Sequence, residues 1–269
     1  MFPDNFIANG CHVSETIANR LIKLRNRYAY PRAHVRASNS PAQFSLGGAR
    51  WAELVHPEPG EITDLELDCY HAGLLHSTDP ADNLLGTLST VFWGFYTFSP
   101  PFATVRAMRH HGGHGARPAA SPALVAQCLK ADAPTDIGAA LGRLGALSQL
   151  GRTPFASKVI AFMYPDRAGV LDNKIANGLA ASAWARGAPF LDGIGDVRAP
   201  RYQRRYVAWC EFLCRVAAGM NAGIADGADW HWAAGASGPQ EWRAIDVERA
   251  IFAHFSDDVQ YRSFVRRAP

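Results

Sequence analysis

Residues that cap helices stand directly before proline at several points of the sequence. Asp79-Pro80, Ser121-Pro122 and Thr153-Pro154 are pairs of this kind, and proline is favoured in the first turn of a helix just after a capping side chain. Each pair is followed by apolar residues at spacings of three and four, which is the period of a helix with one buried face. The sequence therefore predicts a mainly α fold.

The predicted helices can be placed from these caps and from the apolar spacing. They begin at or near Ser14, Asp79, Ser121, Thr135, Thr153, Asp172, Tyr202 and Trp242. Loops are predicted for residues 31–60, 99–120 and 186–200, and the irregular segment 33–54 shows no alternating hairpin. Sequence rich in Gly, His and Pro near 115–120 marks a boundary. It divides the chain into an N-terminal helical subdomain with irregular segments, 1–118, and a second region, 119–269.

Most of the basic side chains are arginine. The 27 basic residues comprise four lysines and therefore 23 arginines, and the formal net charge is +3. The lysines are Lys23, Lys130, Lys158 and Lys174. Arginine binds phosphate through two parallel hydrogen bonds and stacks on bases, so this composition permits a nucleic-acid partner. Genomic base composition produces the same bias, and the charge alone decides nothing.

Cysteine usage and hydropathy bear on the cellular compartment. The five cysteines are odd in number and widely scattered, which argues against a disulfide framework and favours a reducing compartment. The first residues, MFPDNFIANG, lack the charged and apolar regions of a secretory signal. The most apolar stretch, Leu84–Phe98, is too short to cross a bilayer. We expect a soluble cytoplasmic protein with no membrane partner.

Two side chains between residues 151 and 179 have the chemistry of a catalytic pair. Lys158 lies about one turn into the helix that follows Thr153-Pro154, where the positive end of the helix dipole mildly disfavours an ammonium and favours a nucleophilic amine. Asp172 stands at the cap of the next helix, where backbone N–H groups hold a carboxylate ionised. An amine and a fixed carboxylate that face one cleft can attack a sugar carbon and stabilise its developing positive charge. The same sequence spacing also fits a non-catalytic arrangement, in which the lysine lies on an exposed helix face and the aspartate only caps the next helix.

Three imidazoles lie close together in the sequence His110-His111-Gly112-Gly113-His114. No helical or strand spacing orients them, and no nearby cysteine completes a zinc set. We interpret the segment as a solvated or DNA-contacting loop, and no metal site is predicted.

The segment from Gly151 to Leu179 contains T-P-F-A-S-K-V-I followed by L-D-N-K-I-A-N-G-L. It resembles the catalytic core of the helix–hairpin–helix DNA glycosylase superfamily, in particular the 8-oxoguanine DNA glycosylase branch and its archaeal relatives. The resemblance covers about residues 135–185, with weaker support at 239–256. It implies a helix–hairpin–helix glycosylase-like helical fold with a cleft between two helical subdomains, in which 119–269 is the catalytic region and the N-terminal helices complete the fold.

The same resemblance implies roles for individual residues. Lys158 matches the family's catalytic lysine and Asp172 its catalytic aspartate. Lys174 falls where the family tends to place a residue that contacts phosphate. In the last helix, Glu248 would read the edge of the base and Phe252 would stack on it.

Two departures from the family pattern change these expectations. The usual hairpin is rich in glycine, whereas the turn here, Leu150-Gly151-Arg152-Thr153-Pro154, has one; Arg152 and the helix N-terminus at Thr153 would bind phosphate instead. Glu248 stands where a side-chain amide is expected in an enzyme that recognises 8-oxoguanine. A carboxylate accepts hydrogen bonds from amino groups, so a modified cytosine from phage DNA stands beside an oxidised purine as the excised base.

The expected function is therefore excision of a damaged or modified base from double-stranded DNA. The nucleotide is first extruded from the stack. Asp172 then supports the oxocarbenium-like transition state, and Lys158 attacks C1′ to form a Schiff base that leads to strand cleavage. The resemblance implies no metal or organic cofactor, and we expect a monomer that would associate with the nucleoid in a bacterium.

Alternative interpretations stay open at this level. One is a non-catalytic helical DNA-binding protein derived from the glycosylase fold, and another is a monofunctional glycosylase in which Lys158 only positions the sugar. The side chain that wedges into the duplex is also open, with Arg109, His110 and Arg152 as candidates.

Overall fold

Helices dominate the computed structural model, which describes residues 2–4, 6–7, 10–56, 62–130, 136–233 and 237–256. The helices are α1 (Glu15–Asn26), α2 (Asp64–Leu75), α3 (Pro80–Phe95), α4 (Pro100–Gly112), α5 (Pro122–Leu129), α6 (Ile137–Leu144), α7 (Thr153–Met163), α8 (Asn173–Ala180), α9 (Pro200–Ala225) and α10 (Ala244–Phe255). The strands are β1 (His34–Ser38), β2 (Phe44–Gly47), β3 (Arg50–Val55), β4 (Trp232–Ala233) and β5 (Pro239–Gln240). A short 3-10 helix covers Ala183–Ala185. The prediction of a mainly α protein is confirmed.

Capping hydrogen bonds explain where several of these helices begin. The Asp79 side chain accepts from the amide of Ala81 at 2.8 Å and the Ser121 hydroxyl from that of Leu124 at 3.3 Å. Both residues precede the proline that opens the helix, as the sequence predicts. The prediction for α7 was wrong by one residue, because Arg152 is the N-cap and Thr153 is the first helical residue.

Two of the predicted loops contain regular structure. The loop at 99–120 was wrong, because residues 100–112 form α4, whose N-cap Ser99 accepts from the amide of Phe102 at 3.2 Å. The loop at 31–60 was also wrong, since β1, β3 and β2 form an antiparallel sheet in that order, with Ala37 and Phe44 both opposite Ala52. Its strands have only four to six residues, too few for the alternation of Phe44 and Leu46 inward to be recognised.

Helix α2 has no counterpart in the predicted elements. It begins with a reciprocal cap, in which the Thr63 hydroxyl accepts from the Glu66 amide at 3.1 Å and the Glu66 carboxylate accepts from the Thr63 amide at 2.6 Å. Its buried face carries Asp68 and His71 beside Leu67 and Leu75. Two polar residues on the buried face hide the apolar period on which the prediction relies.

The chain folds into two compact units that do not follow the order of the sequence. The first unit comprises Met1–Ala29, Pro165–Ile194 and Arg204–Pro269, and the second comprises Tyr30–Tyr164 and Gly195–Gln203. The predicted boundary between 1–118 and 119–269 falls inside the second unit, between α4 and α5. The second unit therefore contains helices from both predicted regions.

A buried ionic cluster fixes α10 against α1 in the first unit. The Asp246 carboxylate accepts from the Arg25 guanidinium at 3.0 Å and from that of Arg243 at 2.8 Å, and Arg249 lies 3.9 Å away. The Arg25 guanidinium also stacks 3.7 Å from the ring centroid of Trp232. Burial alone would raise the pKa of Asp246, but the three guanidinium groups outweigh burial and lower it. The cluster sets the position of the helix that carries Glu248 and Phe252.

A buried histidine connects α4 to the turn before α7 in the second unit. The His110 ring lies within hydrogen-bond distance of the Ser148 carbonyl, at 2.7 Å, and of the Thr87 hydroxyl, at 3.1 Å. The side chain is fully buried, which lowers its pKa to about 4 despite the hydrogen bond to Ser148. The neutral ring thus holds the turn in place.

The neutral state of His110 predicts a pH dependence of stability. Its folded pKa lies below the ordinary value, so the unfolded chain binds the proton more tightly and stability falls as the pH drops from about 6.5 toward 4. The unfolding free energy of wild type should fall between pH 7 and pH 5, and we expect this fall to be about 2 kcal/mol smaller in His110→Asn. Urea unfolding at both pH values measures this difference. His114→Asn, at an exposed position, serves as the control, and equal pH dependence in wild type and His110→Asn would contradict the assignment.

Candidate active site

The turn before α7 is held by backbone hydrogen bonds to residues 195–197. The Thr153 amide donates to the Gly195 carbonyl at 3.0 Å, and the Thr153 hydroxyl accepts from the Gly195 amide at 3.2 Å. The Val197 amide donates to the Gly151 carbonyl at 3.2 Å. Thr153 is fully buried. The geometry gives Thr153 a role in holding the turn and does not support its predicted contact with phosphate.

Arginine side chains gather at this turn. Arg152 is exposed, and the Arg117 guanidinium lies against Gly151 so closely that any side chain at 151 would collide with it. Arg117 also donates from Nε to the Gly145 carbonyl at 3.2 Å. The hydrogen bond from Arg198, together with the charges of Arg198 and Arg117, lowers the pKa of the exposed Asp196 to about 2. Arg117 and Arg198 therefore join the predicted Arg152 as cations at the turn.

Lys158 is buried in the first half of α7, with 5% of its surface exposed. Its Nζ donates to the Pro154 carbonyl at 2.9 Å and lies 5.4 Å from the ring centroid of Phe155 and 6.0 Å from that of Trp93. A charged lysine is almost never this deeply buried without compensating contacts, because removing an ammonium from water is costly. The carbonyl and the two aromatic faces offset part of that cost.

A glycine on α3 makes room for the lysine. A Cβ atom on Gly94 would lie 2.7 Å from Lys158 Cδ and 3.1 Å from Cε. The Gly94 carbonyl accepts from the Tyr30 hydroxyl at 3.3 Å, which fixes this end of α3. Gly94 and Trp93 were not among the predicted site residues. A glycine inside the apolar run Leu84–Phe98 is the sequence signal that marks such a close approach.

Asp172 is the N-cap of α8 in the first unit. Its Oδ1 accepts from the Ile175 amide at 2.9 Å, and its side chain is partly exposed. The predicted capping role is confirmed. This hydrogen bond uses one carboxylate oxygen of Asp172 and fixes the direction of the side chain at the positive end of the helix.

The predicted base-pocket residues lie one turn apart on α10. Phe252 is 7% exposed, its ring meets Tyr28 edge-on at 6.0 Å between centroids, and Lys174 Nζ from α8 lies 5.4 Å from its centroid. Lys174 and Phe252 are therefore neighbours, and the lysine contacts an aromatic ring.

Glu248 is buried against a glycine of the same unit. It is 4% exposed, and a Cβ on Gly169 would lie 2.7 Å from the Glu248 Cβ. The Gly169 carbonyl accepts from the Tyr206 hydroxyl at 3.0 Å. Burial raises the pKa of Tyr206 well above its ordinary value, and the charges of Cys210 and Glu248 contribute in the same direction. Gly169 and Tyr206 thus form the immediate surroundings of Glu248 that sequence reasoning missed.

The predicted site residues are divided between the two units. Lys158, Arg152 and Thr153 belong to the second unit and lie on or beside α7. The first unit contains Asp172, Lys174, Glu248 and Phe252, on α8 and α10.

The three histidines near residue 112 do not converge on one point. The interpretation of this segment as a loop was wrong for His110 and His111, which belong to α4. His110 is fully buried, which removes it as a wedge candidate, and His111 contacts the Ser45 carbonyl at 2.6 Å. Within the part of the chain that the structure describes, no group of three or more His, Cys, Asp or Glu side chains is arranged to hold a metal ion.

The chain matches no family model, and comparisons with curated proteins and with solved structures find no match. None of the helices in the described ranges combines the length and the apolar character needed to span a membrane.

The contact between Gly94 and Lys158 predicts the effect of adding one methyl group. In Gly94→Ala the lysine stem must move, and its burial between aromatic rings resists that movement, so we expect a loss of about 1–3 kcal/mol in unfolding free energy. Gly73, on an exposed face of α2 where an added methyl group would have no neighbour within 4 Å, is the matched control. Gly73→Ala should gain up to about 1 kcal/mol from the better helix former. Denaturant unfolding measures both, and a Gly94→Ala protein as stable as wild type would contradict the tight contact.

Proposed function

We propose that this chain is a DNA glycosylase that cleaves the N-glycosidic bond of an extruded base and forms a Schiff base through Lys158. The observation that carries the proposal is the burial of the Lys158 amine between Trp93, Phe155 and the Pro154 carbonyl. A lysine held in an apolar setting is the arrangement that amine nucleophiles use. The resemblance of the surrounding sequence to helix–hairpin–helix glycosylases supports the same assignment.

The arrangement of α6 and α7 supports the proposed helix–hairpin–helix fold. These two helices are joined by residues 145–152, which include Arg152, and Arg117 and Arg198 lie against this turn. In the proposal these guanidinium groups bind DNA phosphates, which replaces the glycine-rich backbone site of the usual hairpin.

The proposed reaction begins when the target nucleotide leaves the base stack, since its sugar carbon is inaccessible within the duplex. As the bond from C1′ to the base breaks, positive charge develops on the sugar, and the Asp172 carboxylate stabilises it. The Lys158 nitrogen then forms the new bond to C1′ through its lone pair and loses a proton. The C1′–O4′ bond of the sugar breaks, O4′ takes up a proton, and the Schiff base forms. Loss of a proton from C2′ then permits β-elimination of the 3′ phosphate, and water hydrolyses the Schiff base to release the enzyme.

The substrate class follows from Glu248 and Phe252 in the proposal. A buried carboxylate accepts hydrogen bonds from amino or imino groups on a base edge, and a phenyl ring stacks on its face. These contacts suit an oxidised purine such as 8-oxoguanine and equally a modified cytosine. Mass spectrometry of bases released from oxidised DNA and from phage DNA with modified cytosine separates the two.

Replacement of Lys158 tests the covalent step. Wild-type protein, treated with borohydride on duplex DNA that contains the substrate base, should give a covalent protein–DNA adduct. Lys158→Gln removes the amine and should reduce the adduct at least about 100-fold. Lys130→Gln, at an exposed position, should trap as wild type does.

A thermal melt of each variant checks folding, because Lys158 is buried. A Lys158→Gln protein that still forms the adduct would contradict the assignment of the nucleophile. Tight DNA binding without base release from any substrate of a broad panel would favour a non-catalytic DNA-binding protein.

Replacement of Asp172 tests the electrostatic step. Asn at this position keeps the oxygen that accepts from the Ile175 amide and removes the charge. Asp172→Asn should therefore fold normally, and its rate of base release should fall by about 100-fold or more. Asp136 caps α6 through the amide of Ala139 at 2.8 Å, so Asp136→Asn is the matched control and should retain activity. Base release is measured in single turnover. Unchanged release in Asp172→Asn would refute its role, whereas abasic sites that accumulate unbroken in Lys158→Gln would indicate a monofunctional enzyme.

A further inference from the structure

The large apolar side chains that the described chain exposes are concentrated in one segment of the second unit. Phe98 is 69% exposed, Phe102 36%, Val105 42% and Met108 51%. Their spacings of four and three place them along one side of α4 and the residues that precede it. A cluster of exposed apolar residues in an otherwise well-buried protein marks a binding surface.

A chain of aromatic contacts connects this surface to the surroundings of Lys158. The ring centroids of Phe98 and Phe102 lie 5.5 Å apart, and Phe102 lies 5.6 Å from Phe95. Phe95 in turn stacks on Phe155 at 4.0 Å with an interplanar angle of 18°. Since Phe155 contacts Lys158 Nζ, the exposed rings and the buried amine belong to one continuous aromatic cluster.

Two arginines of α4 lie beside the exposed apolar residues. The Arg106 guanidinium stacks 4.6 Å from the Phe102 centroid and donates to the Gln149 side chain at 3.0 Å. Burial lowers the pKa of Arg106, and the charge of Arg109, one turn later on α4, lowers it further. No Asp or Glu occurs in the sequence between Asp82 and Asp132. A partner that covers this face therefore has to compensate positive charge while it buries aromatic rings.

We propose that Phe98 and Phe102 form a stacking platform for the DNA base that is left unpaired when the target nucleotide is extruded. The inference rests on the proposed function. Aromatic rings stack on bases of any sequence, and guanidinium groups beside them bind the flanking phosphates. Nucleic acid matches both properties of the surface, whereas an uncharged apolar partner would leave Arg106 and Arg109 without compensating charge. Phe98, the most exposed ring, is the residue that enters the base stack.

Binding to a duplex that cannot react tests the platform apart from the chemistry. The probe is a fluorescent duplex with one tetrahydrofuran abasic analogue, which leaves a single base unpaired, and the same duplex fully paired is the reference. Wild type should bind the abasic duplex more tightly than the paired duplex. Phe98→Ala should weaken binding to the abasic duplex at least about fivefold and change binding to the paired duplex little.

Two further variants separate stacking from general hydrophobic contact. Phe98→Trp keeps an aromatic face and should retain wild-type affinity for the abasic duplex. Phe98→Leu keeps an apolar side chain without an aromatic face and should weaken binding to the abasic duplex as Phe98→Ala does. Because residue 98 is highly exposed, Phe98→Ala should fold as wild type does, and a thermal melt checks this.

Each outcome has one meaning. The platform is overturned if wild type binds the abasic and the paired duplex equally and Phe98→Ala changes neither affinity. It is also overturned if wild type is a dimer that Phe98→Ala converts to monomers without any change in DNA affinity. If Phe98→Ala fails to weaken binding while wild type still forms the Lys158 adduct, the platform is refuted and the glycosylase proposal stands. If wild type releases no base and forms no adduct, but Phe98→Ala still weakens binding to the abasic duplex, the glycosylase proposal is refuted and the stacking surface remains.

Discussion

The deep burial of the Lys158 amine constrains the residues around it in the second unit. Moving an ammonium out of water costs several kcal/mol even after relaxation, so the surrounding residues must offer compensating groups. The carbonyl of Pro154 and the faces of Trp93 and Phe155 are those groups, and Gly94 leaves space for the lysine stem. In the proposed function this buried amine is the nucleophile.

The turn before α7, the helix that carries Lys158, is held by contacts from two buried side chains. His110 holds the turn through Ser148, and Thr153 holds it through Gly195. In the first unit, Asp246 and the arginines around it fix α10, which carries Glu248 and Phe252. In both units, buried polar groups position an element that bears a proposed functional side chain.

The sequence predicts these features unequally, for physical reasons. Caps such as Asp79, Ser121 and Asp172 are local signals, so the helices after them and the hydrogen bond made by Asp172 follow from sequence alone. Helix α2 buries Asp68 and His71, and the β-sheet has strands of four to six residues, so neither shows a clear apolar period. The identity of the residue that approaches Gly94 and the position of Arg117 against Gly151 arise from contacts between residues distant in sequence, which no local pattern contains.

The identity of the residue that bonds to DNA tests the central claim most directly. Wild-type protein can be reduced with borohydride on substrate DNA and digested with protease, and the modified peptide can be sequenced by mass spectrometry. The sugar remnant should lie on Lys158, in the peptide that contains Thr153–Met163. A remnant on Lys23, Lys130, Lys174 or the terminal amine, with Lys158 unmodified, would show that the buried amine is not the nucleophile.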